Sequence, residues 1–159
     1  MKRWIVFNFL FLIFLLISIF SFNYWMDPLW CFEHKNSLQA HQEGFNERQQ
    51  KINLIHFNPD FNYDALILGS SRVTIHNSHL IKSVKTFNLA INGMQPYEFN
   101  DYIEYAKRKN QKDFKYIILG LDFSSLGNSA QPSKIDSYIK TTNIPFYRYK
   151  TLLSYDTLN

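Results

Sequence analysis

The run Ala65-Leu66-Ile67-Leu68 leads straight into Gly69-Ser70-Ser71-Arg72, an apolar burst that ends in a tight turn of small hydroxyl residues. A short continuous apolar run bounded by turn residues reads as a buried strand, and in open parallel sheets ligands bind beyond the carboxyl ends of such strands. Ser70 and Ser71 then stand at a rim, where a hydroxyl can attack an acyl carbonyl. A serine at its free pKa is a weak nucleophile, so this chemistry needs a histidine base that is itself oriented by a carboxylate. The same residues also suit a plain strand-to-helix turn in which a serine caps the next helix, and the turn alone leaves both readings open. Arg72 either binds a carboxylate or phosphate at the helix start or is a solvated charge.

The other candidate groups are fewer. His76 and His79 follow the turn closely, but in a short helix they face outward more naturally than back toward Ser71. As a metal pair they lack a clear third ligand, so no metal is expected. His34, His41 and His56 carry no ligand spacing. Neither the Gly-x-Gly-x-x-Gly nor the Gly-Lys-Ser/Thr phosphate-loop pattern occurs, which argues against a nucleotide cofactor. Asn88 reads as a buried residue that bonds the backbone near the turn.

Positioning these groups requires a sheet. Two further bursts, Val84 to Leu89 and Lys115 to Leu121, each end in a polar or glycine signal, so three rims are expected to line one cleft. From Tyr63 onward the order is strand, short helix, strand, long helix, strand, the alternation of a parallel sheet with right-handed crossover helices. The long helix is the best specified. Pro96 suits its first turn, and Phe99, Tyr102, Ile103 and Ala106 fall at i, i+3, i+4 and i+7. Glu98 and Asp101 lie early and Lys107, Arg108 and Lys109 late, as the helix dipole favours. After Asp122 the composition turns to loop through Pro132, and Leu152, Leu153 and Tyr155 hint at one more helix. Three parallel strands make a small sheet, so the expected architecture is α/β and partial, with one edge and part of one face open.

The chain has 159 residues, 17 Lys and Arg against 13 Asp and Glu, and a net charge of +4. With no basic stripe carrying interleaved aromatics, nucleic acid is not an expected partner. Lys2 and Arg3 precede a run from Trp4 to Phe22 in which Asn8, Ser18 and Ser21 are the polar residues, long enough to cross a bilayer as a helix. A cleaved signal peptide would need a shorter apolar region and a small-x-small site; here Phe22, Tyr24 and Trp25 follow, in the manner of an interfacial aromatic belt. The expectation is an uncleaved single-pass anchor in the plasma (inner) membrane, with residues from about Asn23 onward on the extracytoplasmic side. Residues 1–23 then form a cytoplasmic tip and anchor, 24–62 a polar juxtamembrane arm with a short helix near Glu43 to Asn53, and 63–159 the α/β domain. Cys31, the single cysteine, allows no intrachain disulfide and is expected to be inert.

Three signatures stand in order: Leu68-Gly69-Ser70-Ser71-Arg72, Asn88-Leu89-Ala90-Ile91-Asn92-Gly93 and Leu119-Gly120-Leu121-Asp122-Phe123. That order resembles the SGNH/GDSL hydrolase superfamily, and more narrowly its membrane-anchored relatives of bacterial cell envelopes, over about Tyr63 to Phe123. The Asn46-Glu47-Arg48 segment fits loosely. The resemblance implies a flavodoxin-like fold of the SGNH type. It also implies Ser71 as nucleophile, with Ser70 as second choice because Ser70 stands where the family has an acidic residue, and Gly93 as an oxyanion donor. Asp122 falls in the third block, where the family usually has an asparagine side chain. An ionised carboxylate donates no hydrogen bond to an oxyanion, so Asp122 would be protonated there, or would instead bind substrate hydroxyls or orient the loop around Ser71. The family's late Asp-x-x-His block is expected to be missing, because the sequence stops at Asn159.

Two functions follow as expectations. One is an esterase or O-acyl transferase on cell-envelope polymers, with the bilayer, an envelope polysaccharide, an acyl donor and a neighbouring polypeptide that completes the fold as partners. The other is a truncated, inactive membrane protein with a binding role or none.

Overall fold

A computed structural model describes residues 2–32, 46–110, 112–125, 127 and 131–154. Helix α1, Lys2–Met26, is one apolar rod, long and apolar enough to cross a membrane. At about 1.5 Å per residue it exceeds the roughly 30 Å hydrocarbon core of a bilayer. Its side chains from Trp4 to Phe22 point away from the rest of the protein. Two of its polar groups are satisfied within the helix, as an apolar solvent demands: Asn8 Nδ2 donates to Trp4 O (2.9 Å) and Ser18 Oγ to Phe14 O (2.9 Å). The last turns leave this regime. Asn23 is buried and donates to Leu152 O (2.7 Å) and Ser154 O (3.3 Å), tying α1 to the far end of the described chain.

The sheet is parallel, with strand order β2-β1-β3, where β1 is Ala65–Leu68, β2 is Thr86–Asn88 and β3 is Tyr116–Leu119. Register pairs Ile67 with Asn88 on one side and with Ile118 on the other. The continuous apolar run of β1 marks it as the central strand, and all four of its residues are buried. Its faces are covered unequally. Leu66 and Leu68 join Phe87, Leu89, Tyr102, Ala106, Ile52, Ile55 and Ile135 in the main core, whereas Ile67 faces the segment after β1. β3 is the edge expected to lie open: Tyr116, Ile117, Ile118 and Leu119 are all exposed, at 43–57%.

Helix α2, Glu47–Phe57, has the length of the Glu43–Asn53 expectation but begins and ends four residues later. Asn46 is a cap, accepting from Gln49 N (3.3 Å), rather than an interior residue, and Asn58 ends the helix before Pro59. Its apolar residues Ile52 and Ile55 pack in the main core. Its amides are internal glue. Gln50 Nε2 donates to Pro28 O (2.7 Å) and Asn53 Nδ2 to Leu29 O (2.8 Å), so the turn that leaves α1 is pinned onto α2. Gln49 Nε2 donates to Thr142 Oγ1 (2.9 Å).

A four-residue helix α3, Ser71–Thr74, follows β1. Helix α4, Phe99–Asn110, is entered through a 3-10 turn at Pro96–Glu98 and buries Phe99, Tyr102, Tyr105 and Ala106, with Ile103 partly covered. Helices α5, Ile135–Thr142, and α6, Tyr147–Lys150, were not expected from the sequence, and α6 starts after Phe146 at φ +60°. Leu152 and Leu153 lie in a 3-10 turn, Thr151–Leu153, rather than a longer helix; Tyr155, His34 and His41 lie outside the described residues, as does part of the loop before Pro132.

Candidate functional site

The ends of the three strands do meet. Leu89 N donates to Ile67 O (2.8 Å), Ile91 N to Gly69 O (3.0 Å) and Gly120 N to Leu68 O (2.8 Å), so the pairing runs on past the strands into the three signature turns. Two glycines allow this closeness. A Cβ at Gly69 would stand 2.5 Å from Val73 Cγ2 and 3.1 Å from Gly120 O, and a Cβ at Gly120 would meet the same Val73 methyl inside contact distance. The absence of both lets Val73 seat α3 directly on the strand ends.

At this rim the carboxylate of Asp122 bridges two residues of the first turn. Ser70 Oγ donates to Asp122 Oδ2, and Arg72 Nη1 pairs with Asp122 Oδ1 at 3.1 Å. Both carboxylate oxygens are therefore engaged, and Asp122 ties the end of β3 to the turn after β1. Ser71 is the first residue of α3 and is exposed; its carbonyl accepts from Thr74 Oγ1 (2.7 Å), and its hydroxyl bonds no described residue. Asn88 sits beneath, where its Nδ2 donates to Val73 O (3.1 Å) and His76 O (2.9 Å) and its Oδ1 accepts from Ala90 N (2.9 Å). One buried amide thus holds the far side of α3 and the turn after β2.

Gly93 lies in that second turn with φ +69°, a backbone that L side chains rarely adopt. Two charged residues from the start of α2 fix its loop. Glu47 Oε2 accepts from Asn92 N (2.6 Å). Arg48 grips Glu98 with both nitrogens, Nη1 to Oε1 at 2.6 Å and Nη2 to Oε2 at 3.1 Å, and also bonds Tyr102 Oη (3.2 Å). Glu98 Oε2 in turn accepts from Gln95 N (2.9 Å) in a capping box. Glu98 is buried, and its carboxylate holds the Arg48 pKa above the ordinary guanidinium value, against the opposing effect of burial. Glu47, Arg48 and Glu98 are the positioning residues that sequence reasoning missed, although the Asn46-Glu47-Arg48 segment had drawn notice.

His76 joins the arrangement through its backbone carbonyl and lines the hollow beside the turn, but not through a side-chain bond. His76 and His79 are exposed, and neither side chain bonds Ser70, Ser71 or Asp122. Among the described residues no group of three His, Cys, Asp or Glu could hold a metal ion. Beside the turn, an apolar hollow of about 430 Å³ opens between Ile67, Val73, Leu80, Ile118 and Gly120. Cys31 is fully buried, and desolvation pushes its thiol up to about 12, which removes the reactive thiolate at neutral pH. Comparison with protein-family models, curated proteins and solved structures gives no match for this chain.

Proposed function

We propose that the chain is a membrane-anchored, SGNH-hydrolase-like protein of a bacterial cell envelope, acting as an esterase or O-acyl transferase on envelope polymers. The observation that carries this reading is the convergence of the three signature turns at one rim, with Ser71 exposed above them and an apolar hollow beside it. In this reading Ser71 Oγ forms the bond to an acyl carbonyl, and its proton passes to a base. The Gly93 N–H and a backbone amide near Ser71 hold the oxyanion, the carbonyl re-forms as the donor alcohol leaves, and water or a polymer hydroxyl takes up the acyl group. Asp122 is a positioning residue here, since both its oxygens are spent on Ser70 and Arg72. No described residue hydrogen-bonds the Ser71 hydroxyl, and in this reading the base comes from outside the described residues, together with polypeptide that covers β3. α1 crosses the plasma membrane once, and the α/β part faces outward, by the positive charge of Lys2 and Arg3 ahead of the span.

A fluorophosphonate probe on the full chain in native membranes tests this. Labelling that survives Ser70→Ala and vanishes in Ser71→Ala is the expected result. Absence of labelling, or labelling indifferent to Ser71→Ala, would favour the second reading, an inactive membrane protein with a binding role. The Ser70–Asp122–Arg72 linkage suits that reading, because it satisfies the turn without any catalytic base.

A further inference from the structure

A second cavity, of about 830 Å³, is lined by none of Ser70, Ser71 and Asp122 and takes part of its wall from the turn that leaves α1. Two of its wall residues, Trp30 and Phe32, come four and six positions after α1 ends, in the turn that Asp27 closes by accepting from Cys31 N (2.7 Å) and Phe32 N (2.8 Å). Because Gln50 and Asn53 fasten this turn to α2, the wall is fixed close to where a span would emerge from the bilayer.

The lining combines aromatic rings with cations in excess. Lys51 Nζ is held 5.5 Å from the ring centres of both Trp30 and Phe87 and, among the described residues, donates to Asn88 O (2.6 Å). Arg148 lays its guanidinium 4.4 Å above the Phe32 ring and 5.6 Å from Phe57, and its buried Nε donates to no described residue. Lys85 adds a third cation at the wall, over Tyr63 (4.6 Å), against Asp60 as the one carboxylate in the lining. None of the three cations forms an ion pair with a described residue. The Glu47 carboxylate acts on Lys51 and that of Asp27 on Arg148 at longer range, but neither closes to an ion pair; a buried cation without a paired anion is unfavourable, so this arrangement suits a ligand that brings an anion and an apolar body together.

We propose that this cavity binds the headgroup of an anionic phospholipid from the outer leaflet, with the phosphate at Lys51 and Arg148 and the glycerol and upper acyl segments against Trp30, Phe32 and Phe57. The inference rests on α1 spanning the bilayer and is independent of the chemistry at Ser71.

The test is native mass spectrometry of the full chain released from detergent micelles doped with phosphatidylglycerol or with phosphatidylcholine. Phosphatidylglycerol is expected to stay bound where phosphatidylcholine does not. With a cation near anionic lipid contributing about a fivefold change, Lys51→Met and Arg148→Gln should each weaken retention about fivefold and together about 25-fold. Circular dichroism establishes that the variants fold, and Lys85→Met, at an exposed position, provides a third variant free of folding risk. Equal retention of the two lipids, or undiminished retention by the folded double variant, would overturn the proposal. Displacement of phosphatidylglycerol by millimolar inorganic phosphate would also overturn it, by marking the cavity as a site for a soluble phosphate.

Discussion

Replacing Glu98 with alanine should destabilise the domain far more than an ordinary surface change, and the structure sets the scale. Glu98 makes a two-pronged pair with Arg48 (2.6 and 3.1 Å) at side-chain exposures of 7% and 21%. Breaking a buried pair by removing one partner costs about 3–5 kcal/mol, because the other charge stays behind unpaired. Water reaches part of Arg48, which lowers the cost toward about 2–4 kcal/mol. Loss of the Glu98 acceptor for Gln95 N adds about 0.5–1 kcal/mol. The expected total is about 2.5–5 kcal/mol, or a fall of order 10 °C in melting temperature for a domain of this size. Near-UV circular dichroism of the full chain in detergent, followed through a urea titration, reports the aromatic core rather than the apolar helix. Glu98→Gln keeps one acceptor and should lose less, whereas Arg48→Met with Glu98→Leu removes both charges and should recover much of the loss. Hydrogen exchange adds a local readout: amides 92–95, 97 and 98, in the loop that carries Gly93, should lose protection in Glu98→Ala. A Glu98→Ala loss below about 0.5 kcal/mol, or an unprotected loop in the native chain, would refute the assignment of this pair as the clamp of the Gly93 turn.

Three further outcomes are expected. Gly120→Ala should cost about 1–3 kcal/mol by forcing Val73 off the strand ends, and Val73→Ala in the same chain should recover part of it; a Gly120→Ala variant as stable as its parent in the same urea titration would contradict the close seating of α3. Burial pulls the Lys51 ammonium down to about 8 from 10.5, partly offset by Glu47, so the unfolded chain binds the extra proton between those values and stability should rise with pH through that window. Lys51→Met should abolish this part of the rise and be relatively more stable at pH 7, and identical pH profiles for the two chains would rule the burial argument out. Finally, the chain without residues 1–23 should self-associate through β3, and Ile117→Lys with Leu119→Lys should suppress this in size-exclusion chromatography; a monodisperse parent would show the edge to be harmless.

What the sequence made legible was the periodic part. β1, β3 and α4 were readable from one residue type recurring at one period, unbroken apolar runs for the two strands and an i, i+3, i+4, i+7 stripe for α4, while β2 was readable as a β-branched and aromatic burst ending in a polar signal. α5 carries the same spacing in Ile135, Tyr138, Ile139 and Thr142, but half of that stripe is polar or aromatic and it follows a loop-like stretch, so composition masked the period. The polar region before Tyr63 concealed more. Gln49, Gln50 and Asn53 look solvated in sequence, yet they are buried because the backbone carbonyls of Pro28 and Leu29 and the hydroxyl of Thr142 are brought to them from distant segments. At the candidate site, the turns were legible and the side-chain partners were not. The Ser70–Asp122 bond joins residues 52 apart and the Arg48–Glu98 pair residues 50 apart, and no local pattern encodes either.

The contrast between β1 and β3 bears directly on the chemistry. Their compositions, Ala-Leu-Ile-Leu and Tyr-Ile-Ile-Leu, are nearly equal in apolar content, yet the first is wholly buried and the second wholly exposed. Burying a large apolar side chain fully is worth about 1.5–3 kcal/mol, so an uncovered β3 forgoes several kcal/mol and offers a free row of backbone donors and acceptors as well. Asp122 stands three residues beyond Leu119, and Phe123, at 92% exposure, extends the same uncovered surface. Any strand added beside β3 in parallel would end next to Asp122, at the rim where Ser70, Ser71 and Arg72 already sit. Cover and catalytic base are therefore coupled in the proposed function: polypeptide that relieves the exposure of β3 also delivers side chains to the open side of the serine turn. A chain that labels at Ser71 with β3 still bare would separate the two and place the base within residues 1–159, whereas labelling that appears only with a covering polypeptide would make the rim a half-site.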